Sequence, residues 1–222
     1  MVDGVLILYQ TVFDHMVPFV KLMIDAKANV NVRGRAWNDT PLILASRQRY
    51  RDIVPMLLEA KATLDAKDSH GHTPLHYAVK ARNRKGKNYR VDESIVRMLV
   101  DAKAPLEYDA LSVAVWGRQS AVVQMLMDAK ANLHTRDMQD VPLLTRAVQK
   151  RALSIVNILL TADPSLLEEC DSNGTTALMF AVPKYSATKD APIVRILLEN
   201  VKTHCAAGND DEPPAKRFKG TQ

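Results

Sequence analysis

The chain has 222 residues, of which 47% are hydrophobic and 25% charged, a composition typical of a soluble globular protein with a sizeable core. Lys and Arg outnumber Asp and Glu by 30 to 25, and this excess favours acidic partners only where the cations cluster. Two cysteines, Cys170 and Cys205, are too few for a disulfide framework, and no apolar run approaches the ~18 residues of a membrane helix. We therefore expect a soluble, intracellular protein without a signal peptide and without a membrane association.

An apolar pattern typical of one helix face recurs along the chain. Each copy has two consecutive apolar residues, a variable residue and a third apolar residue, at residues 19–22, 53–56, 95–98, 122–125, 155–158 and 193–196. The copies lie about 33 residues apart, with a longer interval before residue 95 and a shorter one before residue 122. Because a period near 33 residues indicates stacked repeats, we expect five repeats preceded by a degenerate N-terminal unit.

A shorter helix is predicted before the apolar pattern. Its clearest copy is residues 73–78, Thr-Pro-Leu-His-Tyr-Ala, and looser copies begin near residues 40, 142 and 176. The Thr73 hydroxyl is suited to cap free backbone N–H groups, and Pro74 has the φ angle of a first helical residue. Turn-forming residues 68–71, Asp-Ser-His-Gly, come directly before it. Each unit is therefore predicted to be a turn, a short helix and a longer helix.

The Thr-Pro-Leu-His-x-Ala motif at residues 73–78, with a period near 33, resembles the ankyrin-repeat family over about residues 1–200. The resemblance implies an all-α solenoid of stacked helix-turn-helix units joined by short β-hairpin-like fingers. We place a degenerate unit in 1–33, repeats in 34–67, 68–107 (with a basic insert), 108–134 (with a shortened finger), 135–168 and 169–202, and a disordered basic tail in 203–222.

Four lysines occupy positions at which the family pattern usually has glycine. Lys27, Lys61, Lys103 and Lys130 each follow a second helix inside an acidic residue-Ala-Lys-Ala segment. If the left-handed turn of the family is kept, each lysine costs about 1 kcal/mol relative to glycine. A cation at a helix C-terminus recovers about 0.3 to 1 kcal/mol of that cost.

The sequence contains none of the common catalytic or phosphate-binding motifs. Cys170 is flanked by acidic residues, which disfavour a reactive thiolate. His70, His72 and His76 form the best metal-like cluster, but His76 belongs to the repeat motif and further zinc ligands are not supplied nearby. We therefore expect no enzyme, no cofactor and no metal.

The family resemblance implies that fingers and first-helix ends line a concave groove that binds a protein partner. Projected onto that arrangement, the partner-binding candidates are Trp37, Asp39, Arg47, Gln48, His70, His72, Lys80, Trp116, Met138 and Lys150. Trp37 and Trp116 are the expected anchors, because tryptophan dominates interface energies when it becomes buried. The alternative is that each tryptophan packs only against its own repeat.

Basic residues also recur at the turns between first and second helices. This predicted basic edge consists of Arg49, Arg51, Arg82, Arg84, Lys85, Lys87, Arg90, Arg118 and Arg151. Stacked repeats would align these turns, so the edge is a candidate site for an acidic segment, a phosphorylated partner or nucleic acid. Few aromatic residues accompany it, which disfavours nucleic acid as a single strand. The alternative is a solvated edge without a partner.

Near the C-terminus, Lys216, Arg217 and Lys219 follow two prolines in a segment that resembles a nuclear import signal. The sequence thus favours a non-catalytic, monomeric interaction module, nuclear rather than cytoplasmic, whose partner is a protein such as a transcription factor. Two alternatives stay open: an anion-binding protein that uses the basic edge, and a substrate adaptor of a ubiquitin ligase or a pathogen effector.

Overall fold

The computed structural model describes residues 6–80, 91–106, 108–137, 139–185 and 191–207, and the chain divides into two compact units, Met1–Asn132 and Leu133–Gln222. The first unit contains α1 (Ile7–Phe13), α2 (Val17–Asp25), α3 (Pro41–Gln48), α4 (Ile53–Glu59), α5 (Pro74–Val79), α6 (Glu93–Asp101), α7 (Tyr108–Trp116) and α8 (Ser120–Asp128). The second contains α9 (Leu143–Gln149), α10 (Leu153–Ala162), a 3-10 helix (Pro164–Glu168), α11 (Ala177–Tyr185) and α12 (Ala191–Ala207).

The helices of the first unit form two layers. The first helices α1, α3, α5 and α7 pack on one another in chain order, and the second helices α2, α4, α6 and α8 do the same. In the second unit α9 packs on α10 and α11, while α12 packs on α10, on α11 and on the 3-10 helix. The predicted all-α repeat architecture is confirmed.

The repeated sequence motif explains how the first helices begin. Thr40 and Thr73 cap α3 and α5: each hydroxyl accepts a hydrogen bond, 3.3 Å long, from a backbone N–H three residues later. A proline follows each threonine at the first helical position, where it leaves no backbone donor unsatisfied. The next residue, Leu42 or Leu75, is fully buried in the core. One short motif therefore starts the helix and anchors it.

In three of the helix pairs that the structure describes, a residue with positive φ follows both the first and the second helix. Lys27, Lys61, Lys103 and Lys130 have φ angles of 59°, 60°, 66° and 65°, so the predicted left-handed turns are confirmed. A second series, which the sequence analysis missed, follows the first helices: His15, Arg49, Arg118 and Arg151 have φ angles of 55°, 64°, 56° and 55°. Each of these residues follows the C-terminus of a first helix, the end at which a positive charge is favourable.

The fingers are hairpin-like turns rather than extended strands. In the second unit, single antiparallel bridges join Arg136 to Pro142 and Cys170 to Thr176, directly before α9 and α11. Between α6 and α7 the finger is cut short, because α7 begins at Tyr108 soon after α6 ends at Asp101. The shortened connection expected in the repeat 108–134 is therefore present.

The structure adds detail in the N-terminal unit and in the last helix. The N-terminal unit contains a complete helix pair, α1 and α2, although its sequence lacks the Thr-Pro start. The predicted tail begins too early, since α12 continues through residues 203–207. Those residues contain no proline or glycine to end the helix; the next glycine is Gly208. The remainder of the predicted tail, 208–222, lies outside the described residues.

Candidate functional site

Two buried carboxylates support the fingers of the first unit. Asp39 has no exposed surface; it accepts a hydrogen bond of 2.7 Å from the Tyr9 hydroxyl and forms an ion pair of 2.7 Å with Arg47. Burial, with the neighbouring Asp39 carboxylate, raises the pKa of Tyr9 above its usual range. Asp39 therefore ties its finger to α1 and α3.

Asp68 organises the next finger through both of its carboxylate oxygens. Oδ1 accepts the backbone N–H groups of His70 and His72 at 2.8 and 3.0 Å, and Oδ2 accepts the Tyr77 hydroxyl at 2.6 Å. Burial alone would raise the pKa of Asp68, but these hydrogen bonds outweigh it and hold the pKa below its ordinary value. For Tyr77, burial and the Asp68 carboxylate together raise the pKa to about 12. The finger is thus fastened to α5 by an ionised carboxylate.

A run of stacked rings lies beside these carboxylates. The Trp37 and His70 ring centroids are 5.1 Å apart, and the His72 and His76 centroids are 3.9 Å apart. His70 and His72 are also parallel, with centroids separated by 6.0 Å. In parallel stacked histidine rings, the nitrogen lone pairs lie in the ring planes and point outwards, so they do not converge on one point. Within the described ranges, no group of three or more His, Cys, Asp or Glu side chains is arranged to hold a metal ion.

Arg47 connects the two carboxylate systems. Its guanidinium pairs with Asp39 and lies 5.5 Å from the centroid of the Tyr77 ring, with 15% of the side chain exposed. Lys80 Nζ lies 5.9 Å from the same ring centroid. We call the set of Trp37, Asp39, Arg47, Asp68, His70, His72 and Tyr77 the finger cluster. It joins the repeats 34–67 and 68–107 through aromatic and ionic contacts.

The structure divides the predicted partner-binding residues by accessibility. Trp37, His72 and Lys80 are half-buried, the His70 side chain is 48% exposed, Gln48 is exposed and Trp116 is 44% exposed at the end of α7. Two predictions need correction: Asp39 has no accessible surface for a partner, and Arg47 is mostly buried against Asp39. Lys150 is half-buried at the end of α9 in the second unit, and Met138 lies outside the described residues.

The predicted basic edge is partly an internal connection. Arg49 donates to the Lys80 carbonyl oxygen at 3.1 Å, and Arg51 pairs with Asp92, the residue that caps α6. Burial would raise the pKa of Asp92, yet the Arg51 and Ser94 hydrogen bonds lower it. Both arginines therefore join neighbouring repeats. Arg118 and Arg151 are exposed at left-handed positions, while Arg82, Arg84, Lys85, Lys87 and Arg90 lie outside the described residues.

A charged contact in the second unit was missed by the sequence analysis. His134 faces two carboxylates: Nδ1 is 2.8 Å from Glu169 and Nε2 is 3.1 Å from Asp163. The hydrogen bond with Glu169 and the charges of both carboxylates raise the pKa of His134. These acidic residues lie far from His134 in sequence, so no short motif indicates the contact.

Open grooves run between second helices of the first unit. One, of about 540 Å³, lies between α6 and α8 and is lined by Arg97, Val100, Asp101 and Met125 among others; another, of about 610 Å³, lies between α2 and α4. Both have mixed aliphatic and charged walls. Across the part of the chain that the structure describes, no helix is both long and apolar enough to cross a membrane.

Comparison with known proteins identifies relatives of this fold. Residues 8–104 match the family model for ankyrin repeats (3 copies). An ankyrin repeat domain from Acinetobacter baumannii AYE is 22% identical with a TM-score of 0.72, and the match covers 88% of this chain and 98% of that chain. The ankyrin repeat domain of Bcl-3, a member of the IκB family, is 25% identical with a TM-score of 0.71, covering 87% and 85%. A further ankyrin repeat protein is 20% identical with a TM-score of 0.73, covering 88% and 98%.

Proposed function

Because the chain is an ankyrin-repeat protein, we propose that it is a non-catalytic interaction module that binds a protein partner through the accessible rings of the finger cluster, Trp37 and His70, and through Trp116. Ankyrin repeats indicate a protein–protein interaction module, and the fold is typically a scaffold without catalytic function. The observation that carries the proposal is the stack of Trp37 on His70, in which both rings keep accessible surface.

The finger cluster has the properties of an interface anchor. The buried carboxylates hold two of its members, since Asp68 accepts the Tyr77 hydroxyl and Asp39 pairs with Arg47, so these side chains have little freedom to lose on binding. Rigid aromatic residues surrounded by polar groups are typical of binding hot spots. Gln48 and Lys80 at the ends of α3 and α5 supply a donor and a cation. We therefore infer a partner segment with apolar and acidic or phosphorylated side chains.

Affinity capture with the full chain tests this site. We expect the Trp37→Ala/Trp116→Ala double variant to lose partners that the wild type retains, with affinity for an identified partner reduced by roughly 10- to 100-fold. Leu153→Ala is the matched control, since Leu153 is a partly exposed apolar residue in the second unit that the proposal does not use. An identical set of captured proteins for all three chains would contradict the proposal.

A salt titration separates this function from the alternative of anion binding at the basic edge. Binding to duplex DNA weakens with a slope of about −0.9 per neutralised phosphate, whereas binding through buried aromatic rings depends little on salt. The contacts of Arg49 with the Lys80 carbonyl and of Arg51 with Asp92 favour the protein partner, because these cations already have internal roles. A steep slope that persists in the double tryptophan variant would favour the alternative.

The finer form of the proposal is a nuclear regulator, such as one that binds a transcription factor. It is supported by the basic segment with Lys216, Arg217 and Lys219, and by the likeness to the Bcl-3 domain at 25% identity. Replacing Lys216 and Arg217 by alanine should move a fluorescently tagged chain from the nucleus to the cytoplasm. Unchanged nuclear accumulation would remove the import signal from the proposal while leaving the finger cluster untouched.

A further inference from the structure

The N-terminal end of the first unit exposes positions that are buried in the other repeats. Phe19 is 51% exposed, whereas the residues at the same position of the later second helices are at most 2% exposed: Ile53, Ile95, Val122, Ile155 and Ile193. Leu22 is 62% exposed, and its equivalents Met56, Met98, Met125, Ile158 and Ile196 are half-buried. Ile7, in the first helix, is 39% exposed where its equivalents are buried. We call Ile7, Phe19 and Leu22 the N-terminal face.

The last repeat exposes a different set of positions. Met179 in α11 is 60% exposed, whereas its equivalents Ile43, His76, Ser112 and Thr145 are buried and Tyr9 is half-buried. Val182 is 41% exposed, and its equivalents Val12, Ser46, Val79, Val115 and Val148 are fully buried or nearly so. Leu198 in α12 is 42% exposed, whereas its equivalent Leu160 is 2% exposed and its other equivalents, Ile24, Leu58, Val100 and Met127, are half-buried. We call Met179, Val182 and Leu198 the C-terminal face.

The register of the repeats indicates what covers each set elsewhere. The positions of the N-terminal face are exposed only in the first repeat among the described residues, so the preceding repeat covers them in the others. The positions of the C-terminal face are exposed in the last repeat, so the following repeat covers them. Within each compact unit, a junction between stacked repeats therefore joins these two kinds of face, and the N-terminal face and the C-terminal face occupy the matching positions.

From this complementarity we propose that the chain associates end to end, with the N-terminal face of one copy packed against the C-terminal face of a second copy. Terminal repeats of soluble solenoids ordinarily carry polar outer sides, whereas each face here is a cluster of large apolar side chains. Burying such a cluster contributes about 25 cal/mol per Å² of apolar surface. The contact is heterologous, because two different surfaces meet. The sequence analysis expected a monomer, so the association that we propose differs from that expectation.

Sedimentation equilibrium of the full chain, with complementary variants, tests the proposal. The wild-type weight-average mass should rise with concentration from the monomer value of 24.7 kDa towards and beyond twice that value. Leu22→Glu removes only the N-terminal face and Met179→Glu only the C-terminal face, so each variant alone should remain monomeric. An equimolar mixture of the two variants keeps one intact junction per pair and should reach about twice the monomer mass.

Controls separate a lost contact from a lost fold. Leu153→Glu, at a partly exposed apolar position outside both faces, should associate like the wild type. Ile7→Glu and Leu198→Glu provide a second pair of face variants, and circular dichroism checks that each chain is folded. A full chain that stays monomeric at every concentration overturns the proposal. Coverage of the C-terminal face by residues 208–222 would give that result. Association that persists in Met179→Glu alone also overturns it, because the contact would then be between two N-terminal faces.

Discussion

The fingers that begin at Asp68 and at Asp171 share one backbone motif in different surroundings. In both, the carboxylate Oδ1 accepts two backbone N–H groups, two and four residues later, at distances between 2.8 and 3.0 Å. A glycine with positive φ follows three residues after each aspartate: Gly71 at 78° and Gly174 at 74°. The turn is therefore a local property that the short sequence Asp-Ser-x-Gly is sufficient to specify.

The two fingers differ in what the second carboxylate oxygen, Oδ2, contacts. Oδ2 of Asp68 accepts the hydroxyl of Tyr77, and the Asp68 side chain has no exposed surface. At the place of Tyr77 in the last repeat stands Phe180, which has no hydroxyl, and Asp171 is half-buried. The same turn is thus coupled to the core at Asp68 and is separate from it at Asp171. The difference depends on one helix residue, nine positions after the aspartate.

A third finger shows that the coupling is reached in more than one way. Asp137 uses Oδ1 for the backbone N–H groups of Gln139 and Val141 and uses Oδ2 for Arg146, which occupies the position of Tyr77. Burial would raise the pKa of Asp137, but the two backbone hydrogen bonds and Arg146 lower it. A phenol and a guanidinium are thus interchangeable as donors to this buried carboxylate.

The largest expected effect is that of Asp68→Ala compared with Asp171→Ala. The first change leaves two backbone N–H groups and the buried Tyr77 hydroxyl without their acceptor, which should lower the free energy of unfolding by about 3 kcal/mol. The second affects donors that water can satisfy, so the loss should be much smaller. Urea denaturation of the full chain measures both changes. Equal losses would show that Asp68 contributes only through its turn.

Tyr77→Phe isolates the coupling from the turn. The variant removes the hydrogen bond to Asp68 Oδ2 and the longer contact, 3.5 Å, between the Tyr77 hydroxyl and His72 Nδ1. A hydrogen bond to a charged group contributes about 1.5 to 3 kcal/mol, and we expect a loss near the lower end. The reverse change, Phe180→Tyr, offers a hydroxyl near Asp171, which is more accessible than Asp68, and should stabilise the chain by less. Thermal denaturation compares the two variants. A gain as large as the loss would mean that burial does not strengthen this contact.

The fold was predictable from sequence because local motifs set it. The Thr-Pro starts predicted α3 and α5, and lysines in glycine positions predicted the left-handed turns at Lys61 and Lys130. The left-handed conformation of Arg49 was not predicted, because the sequence analysis considered only the turns that follow second helices. The 3-10 helix Pro164–Glu168 was also missed, because it belongs to no repeated pattern.

The site was predictable only in part, since its contacts join residues that are distant in sequence. Placing Trp37 and His70 on neighbouring fingers followed from the repeat, but their stacking depends on side-chain orientation that periodicity does not specify. The burial of Asp39 was missed because Tyr9, which donates to it, lies in the degenerate first unit. Arg47 was interpreted as a surface cation because its position at a helix end is usually exposed.

A change of pH affects the finger cluster and the His134 contact differently, because the pKa of Asp68 is lowered and the pKa of His134 is raised. The pKa of Asp68 is lowered, so its contribution to stability is present above its ordinary value of 3.8 and is lost as the pH falls through the folded value. The pKa of His134 is raised, so its contribution is fully present below 6.5 and is lost as the pH rises through the folded value. Between about pH 5 and 6 both contributions are therefore available.

His134→Gln should therefore destabilise the chain more at about pH 5.5 than at about pH 8. The difference should stay below about 1 kcal/mol, because the histidine side chain is 52% exposed and water screens its charge. Urea denaturation at the two pH values measures it. The matched control is His70→Gln, which alters a histidine of similar exposure in the other unit. A penalty that is larger at the higher pH would contradict protonation of His134 by its carboxylate neighbours.

The smallest effect concerns a turn that recurs in the first unit and tests whether cations offset backbone strain. Lys61 has a φ angle of 60°, while Ala60, directly before it, has an ordinary φ of −76°. Lys61→Gly removes about 1 kcal/mol of strain but loses about 0.3 to 1 kcal/mol of attraction to the helix carbonyls, so a gain of about 0.5 kcal/mol should remain. Ala60→Gly, in the same turn, should destabilise by about 0.5 to 1 kcal/mol, because glycine there adds only freedom to the unfolded chain. Raised salt should enlarge the gain of Lys61→Gly, because salt screens the attraction of the lysine to the helix carbonyls in the wild type. A clear loss of stability in Lys61→Gly would show that this attraction outweighs the strain.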